Sequence, residues 1–261
     1  MEIDLYQIDA FTSKVFEGNP AAIIPLDEWL PLNIMQAIAN ENNLSETAFF
    51  IPSDNSFEIR WFTPEREVDL CGHATLAAAY VIFNILNYDL DEIKFNSLSG
   101  LLTVKKNEDF LTLNFPSQVP VECDSPKDLI DGLGKTPAFC YRNQDYLAVY
   151  DNFHDIFNIS PDFKKLMNLD LRGVIITAPG LNCDFISRFF VPKYGINEDP
   201  VTGSAHTQLT PYWCDRLGKE KLHAKQVSSR GGVLLCEQID NRVLISGTAI
   251  KYLEGKIEIG L

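Results

Sequence analysis

Residues 69–83 read DLCGHATLAAAYVIF. A thiol, a glycine and an imidazole (Cys71, Gly72, His73) stand directly ahead of an almost wholly apolar run. From His73 to Leu86 only His73, Thr75 and Asn84 are polar. A helix that is apolar on nearly all sides must be surrounded by other structure. The stretch therefore predicts a central buried helix. Its first turn carries free N–H groups and the positive dipole end, and that end holds the polar cluster.

The flanking chain supplies strands to surround it. LYQIDAF alternates apolar and polar, and GNPAAII follows a Gly-Asn-Pro turn, so both read as strands. LNIMQAIANENN places Leu32, Met35, Ile38 and Ala39 at helical spacing and closes at its Asn pair. ETAFFI and FEIRWFT are strands, and residues 92–115 form a run of strands with turns at Ser99-Gly100 and Asn107-Glu108-Asp109. Pro116 to Pro126 is polar and proline-rich, and reads as a linker.

The second half repeats the plan. AFCYRNQDYLAVY reads as two strands, and SPDFKKLMNL as a helix with Ser160 at the N-cap and Pro161 at its first position. GVIITAP and DFISRFFVP are strands; GSAHTQLTPYWCDRL is a helix stopped by Gly218, with Pro211 expected to kink it or mark a later start. The hairpin pattern of residues 96–115 recurs at 228–247, pairing Gly100 with Gly232, and the helix-start glycines Gly72 and Gly203 are separated by almost the same interval. The expected division is an N-terminal half over 1–118, joined by a C-terminal strand 250–261, and a C-terminal half over 119–249; if the halves face each other, the two helix starts converge on one cleft.

The chain has 261 residues, enough to bury a sizeable core. Its net charge is −14 with no Lys/Arg-rich run, which argues against a nucleic-acid partner. The longest apolar stretch, Ala74 to Phe83, is well short of the ~18–20 residues that cross a bilayer, and MEIDLYQIDAF lacks the bases of a signal peptide. Six cysteines form no C-x-x-C and four histidines no H-E-x-x-H, so no metal site is expected, and reduced thiols in the cytoplasm are. Dinucleotide, P-loop and nucleophile-elbow signatures are absent.

Three polar clusters remain. Glu46 lies between Asn42-Asn43-Leu44-Ser45 and the apolar Ala48-Phe49-Phe50-Ile51. Partial desolvation there would raise its pKa and make it a proton carrier; the plainer reading is a turn acid. His73, at a helix start, is expected to be held neutral by the dipole and to hydrogen-bond a substrate, or else simply to bond backbone. In Asp199-Pro200-Val201-Thr202-Gly203-Ser204, Gly203 permits close approach or an unusual φ, and Ser204 can cap the helix. Two such helix starts make two anion cradles. A thiol such as Cys71 at a helix start could serve two-base racemisation, but the second half offers no thiol at the matching place. His206 either lines the same cleft or faces a neighbouring strand.

QIDAFTSKVFEGNPAAII, NLSETAFF, FTPEREVDLCGHATLAAA and GINEDPVTGSAH, in that order, resemble the PhzF-like phenazine-biosynthesis family over nearly the whole chain. The resemblance implies an α+β, diaminopimelate epimerase-like fold: two pseudo-symmetric halves, each a curved mixed sheet around a central helix. It implies a cofactor-free isomerase; the family's founding activity shifts a proton on trans-2,3-dihydro-3-hydroxyanthranilate. The family's catalytic glutamate corresponds to Glu46, its histidine to His73, and its aspartate and serine to Asp199 and Ser204; with them, the helix-start N–H groups at Gly72 and Gly203 are expected to bind the substrate carboxylate. The first thiol of epimerase relatives corresponds to Cys71, a possible relict base, and the second falls near Pro200, which is no base. A small carboxylic acid as ligand, no cofactor or metal, and a homodimer follow from the same resemblance. The competing readings are an epimerase or racemase using Cys71, and a small-acid-binding protein without turnover.

Overall fold

The computed structural model describes residues 1–260. The strands are β1 (Glu2–Ala10), β2 (Asn19–Pro25), β3 (Glu46–Ser53), β4 (Ser56–Phe62), β5 (Glu67–Val68), β6 (Glu92–Ser97), β7 (Gly100–Asn107), β8 (Phe110–Pro116), β9 (Val121–Glu122), β10 (Phe139–Arg142), β11 (Tyr146–Val149), β12 (Val174–Pro179), β13 (Phe185–Val191), β14 (Ile196–Asp199), β15 (Lys221–Gln226), β16 (Gly232–Ile239), β17 (Arg242–Gly247) and β18 (Ala249–Glu258). The α-helices are α1 (Leu32–Asn42), α2 (Gly72–Asn84), α3 (Lys127–Leu133), α4 (Phe153–Asn158), α5 (Phe163–Leu166) and α6 (Gly203–Leu217). Two compact units emerge: Met1–Asn114 with the segment that begins at Ser246, and Phe115–Ile245.

Both units have one strand plan. In the first, β1 pairs with β18 and β2, β2 lies parallel to β3, β3 antiparallel to β4, and β4 parallel to β6, which continues through β7 to β8. In the second, β10 pairs with β9 and β11, β11 lies parallel to β12, β12 antiparallel to β13, and β13 parallel to β15, which continues through β16 to β17. A short antiparallel strand, β5 or β14, precedes the central helix in each. Parallel neighbours need a crossover. In each unit the central helix, α2 or α6, is the crossover between the two parallel strands on either side of it. This is the mixed α+β arrangement, repeated, that the resemblance implies.

Burial explains why the sheets carry helices on both faces. Every residue of α2 except Tyr80 and Asn84 is buried, and the helix packs on β1, β2, β3, β7 and β18. On the opposite side Met35, Ile38 and Ala39 of α1 pack with Ile24, Phe49 and Phe62, while Leu32 is exposed. Strands covered on both faces read as continuous apolar runs, as Ala21–Ile24, Ala48–Phe50 and Val174–Ile176 do. In the second unit Leu129, Leu133, Ile156 and Leu166, from the three short helices, build the equivalent outer layer.

Several local expectations change. The helix near Ser160 is only Phe163–Leu166, and Asp162 caps it by accepting from the Lys164 and Lys165 N–H groups. Asp162 wins because its carboxylate reaches two free donors at once. The linker is partly ordered, since Val121–Glu122 pairs with β10. α6 runs without a break through Pro211. Pro211 cannot donate to the carbonyl four residues before it; the Gln118 backbone N–H fills that place, 3.0 Å from the Thr207 oxygen. α3, α4, β5 and β14 lack a clear sequence signal because each is seven residues or fewer.

Gly18 sets the entry to β2. Its φ is +69°, and a Cβ there would stand 2.2 Å from the Ala10 carbonyl oxygen. Gly18→Ala is expected to cost about 2–4 kcal/mol, combining left-handed strain with a backbone collision. Urea denaturation measures it, and a change below about 0.5 kcal/mol would mean that the turn relaxes freely.

Candidate active site

In the first unit the polar residues gather where β2, β3 and α2 begin. α1 ends on Asn43 in the left-handed conformation (φ 49°), and the chain re-enters the sheet at Glu46, opposite Ala21 of β2. His73 is the second residue of α2, and Cys71 is the extended N-cap, with no side-chain cap. The Cys71 carbonyl accepts from the Thr75 backbone N–H and from the Thr75 hydroxyl. These constraints bring His73 Nε2 to 3.2 Å from Glu46 Oε2, with the two side chains 5% and 14% exposed. Neither atom has a well-aligned hydrogen bond among the described residues, and both are sealed from solvent. At the other ring nitrogen the Asn19 amide stands 3.1 Å away and the Cys71 sulfur 3.6 Å. Asn19 is fully buried, and its Oδ1 receives the Ser45 hydroxyl.

The electrostatics follow from burial and neighbours. Burial, with the Glu46 charge adding to it, pushes the Cys71 thiol up to about 11. For His73 burial favours the neutral ring, but the negative partners, Cys71 sulfur and Glu46 carboxylate, outweigh it and raise its pKa well above the ordinary value. Cys71 is itself held as the thiol, so at neutral pH the Glu46 carboxylate is the partner that counts. The expected dipole-depressed, neutral His73 is therefore corrected: a carboxylate at 3.2 Å outweighs the partial charge of a helix end.

Glu46, Cys71 and His73 also offer ligand atoms within 4.8 Å of one another. The sulfur lies on the Nδ1 side of the ring and the carboxylate on the Nε2 side.

In the second unit β14 ends at Asp199 and α6 begins at Gly203. The Thr202 hydroxyl donates to Asp199 Oδ2 at 2.5 Å. Gln226, at the end of β15, donates to the Asp199 carbonyl and accepts from the Thr202 N–H. Ser228 secures the Pro200 carbonyl at 2.8 Å. Gly203 does not have a left-handed φ, so its unusual-φ reading is withdrawn. Ser204 is not the cap: Thr202 occupies that position, and the helix has no side-chain cap bond. Ser204 Oγ instead accepts from Arg172 at 3.2 Å. Arginine can only donate, so the serine's own hydrogen is left to donate elsewhere. His206 is fully buried; its Nδ1 bonds the Thr202 carbonyl at 2.8 Å and its ring lies on Phe185 of β13. It faces a strand.

Residue-level reading missed Asn19, Thr202, Gln226, Arg172 and Asp145. Asn19 was visible only as part of a turn. Arg172 and Asp145 stand just before two strands that pair in parallel, Val174 opposite Tyr146; opposite charges so placed were the available signal.

A hydroxyproline epimerase from Agrobacterium vitis has a similar fold, superposing with a TM-score of 0.64 over 98% of this chain and 92% of its own, at 8% identity. Within that fold the sequence is specific. The family model for phenazine biosynthesis-like proteins matches residues 8–255, and the chain belongs to that family. A Pseudomonas aeruginosa protein named as an uncharacterized isomerase is 48% identical over 259 residues, covering 99% of this chain and all of its own. The crystal structure of a PhzF-family phenazine biosynthesis protein from Enterococcus faecalis has a TM-score of 0.97 at 48% identity, covering 99% of this chain and 100% of that one.

Two predictions follow from the buried charges. Arg172 grips Asp145 through two bonds of 2.9 and 2.5 Å, and Asp145 is 1% exposed. Arg172→Ala strands that carboxylate and is expected to cost about 3–5 kcal/mol; urea denaturation of each single variant and of the Arg172/Asp145 double variant should show a double loss well below the summed singles. His206 has its pKa lowered to about 4 by burial. Its contribution is therefore present above pH 6.5 and lost as pH falls toward 4, because the unfolded chain takes up a proton that the folded chain refuses. Between pH 7.5 and 4.5 the parent should lose on the order of 3 kcal/mol more than His206→Gln; a difference independent of pH would refute the assignment.

Proposed function

We propose that the protein is an isomerase that moves a proton on a small unsaturated, amino or hydroxy carboxylic acid, with Glu46 as the single acid/base. The observation that carries this reading is the sealed Glu46–His73 contact of 3.2 Å, in which neither facing atom has a well-aligned bond. A carboxylate oxygen that lacks an aligned donor can accept a proton from a substrate. Family membership and the isomerase naming of close relatives support the same class.

In this reading Glu46 removes a proton from a carbon made acidic by neighbouring unsaturation. Now protonated, it returns that proton to another carbon on the same face. His73 carries positive charge beside it and balances the carboxylate before transfer. Gly72 and Gly203 begin helices whose N–H groups suit a substrate carboxylate. Asp199 and Ser204 orient its polar substituents, the latter as a donor because Arg172 occupies its acceptor side. The chemistry asks for no cofactor. Six free cysteines accord with a cytoplasmic setting, and the family resemblance with a homodimer.

The racemase alternative needs a reactive thiol pair. Burial pushes the Cys71 thiol up to about 11, and by the family resemblance the second thiol site falls near Pro200, which is no base. Glu46→Gln should lower deuterium incorporation from D₂O into turned-over acids by at least about 100-fold, read by mass spectrometry across a panel of amino and hydroxy acids. Cys71→Ala should keep incorporation within about threefold of the parent. The reverse pattern would make Cys71 the base. Binding of an acid with no exchange in the parent would make the protein a carrier.

A further inference from the structure

Cys123 and Cys140 take no part in the site described above, and they face each other. Their sulfurs are 3.7 Å apart. The two residues lie one step beyond the Glu122–Tyr141 pair of β9 and β10, and the Cys123 backbone N–H donates to the Cys140 carbonyl at 2.9 Å. Directly opposed residues of a hydrogen-bonded antiparallel pair have Cα atoms about 5.5 Å apart. A disulfide accepts about 4.4–6.8 Å. Closing the bond therefore needs side-chain rotation and no backbone rearrangement. Cys183 and Cys214, by contrast, point at backbone carbonyls, Phe185 and Glu220 respectively.

We propose that Cys123 and Cys140 form a reversible two-electron redox site, closed to a disulfide by small-molecule disulfides of the glutathione type. The two sulfurs divide the labour by exposure. Cys123 is partly exposed at the edge of the second unit's core, and Cys140 is buried within it. The Cys123 thiolate attacks one sulfur of the small disulfide; that S–S bond breaks, and one thiolate leaves and takes up a proton. Cys140 then gives up its proton and attacks the Cys123 sulfur, forming the protein disulfide and expelling the second small thiol. The protein dithiol loses two electrons and two protons, and the small disulfide becomes two thiols. Burial, and next the neighbouring Cys123 charge, push the Cys140 thiol up to about 12. The first step removes the smaller of those two causes while burial still opposes ionisation of Cys140, so the second step is the slower one.

The bond would close a loop around α3 and fasten the segment after Pro116 to β10. In a reducing compartment it stays open, and it closes under oxidative load. The test needs no substrate. The full-length protein is equilibrated in glutathione/glutathione-disulfide mixtures and read by intact mass, peptide mapping and thermal unfolding. The expected result is a species about 2 Da lighter, mapped to Cys123–Cys140, reversed by dithiothreitol and unfolding about 5–10 °C higher. Cys123→Ser, at the exposed side, should abolish both changes, and Cys183→Ser should keep them. A persistent glutathione adduct about 305 Da heavier, or a bridge mapped to other cysteines, overturns the proposal.

Discussion

The fold depends on burying two helices on nearly every side. α2 is apolar almost all round, and an apolar helix of that kind cannot sit on the edge of a sheet without exposing a stripe of side chains. The sheet must therefore turn about it, and β1, β2, β3, β7 and β18 all reach it. Parallel pairing of β4 with β6, on either side of the helix in sequence, makes the helix an obligatory crossover. The same constraint recurs at α6, between β13 and β15. One requirement, met twice, generates the repeated strand plan.

That constraint also makes the chemistry. Once the body of α2 is buried, its first turn is the place where polar residues can be tolerated, and they must satisfy one another. His73 meets the Glu46 carboxylate on one side and the Asn19 amide on the other. Its raised pKa comes from those negative partners against the effect of burial, whereas burial itself keeps the Cys71 thiol protonated. At α6 the same position is treated differently. Thr202 turns to Asp199 rather than to the backbone, and Ser204 is held by an arginine that is itself locked to Asp145.

Much of the architecture was legible because long periodic segments carry redundant signals. α1 ended at its Asn pair, α6 at Gly218, and the paired hairpins began at Gly100 and Gly232. Where elements were short the signal failed, as at β14 and α3, since a few residues hold too little periodicity to outweigh their neighbours. Pro211 illustrates a different failure. Local chemistry argues for a break, yet the Gln118 N–H, from a segment read as a bare linker, satisfies the carbonyl that proline leaves open.

The sequence by itself determined the repeat, the central helices and the residue types at their mouths, because hydropathy period and turn chemistry are local properties; the α+β class came with the family resemblance. It did not determine which side chains meet. That His73 faces a carboxylate and carries a raised pKa, that Ser204 accepts from Arg172, and that Cys123 lies against Cys140 were decided by tertiary structure. Charge state and hydrogen-bond direction depend on distances of a few ångströms between residues far apart in the chain, and only packing sets those distances.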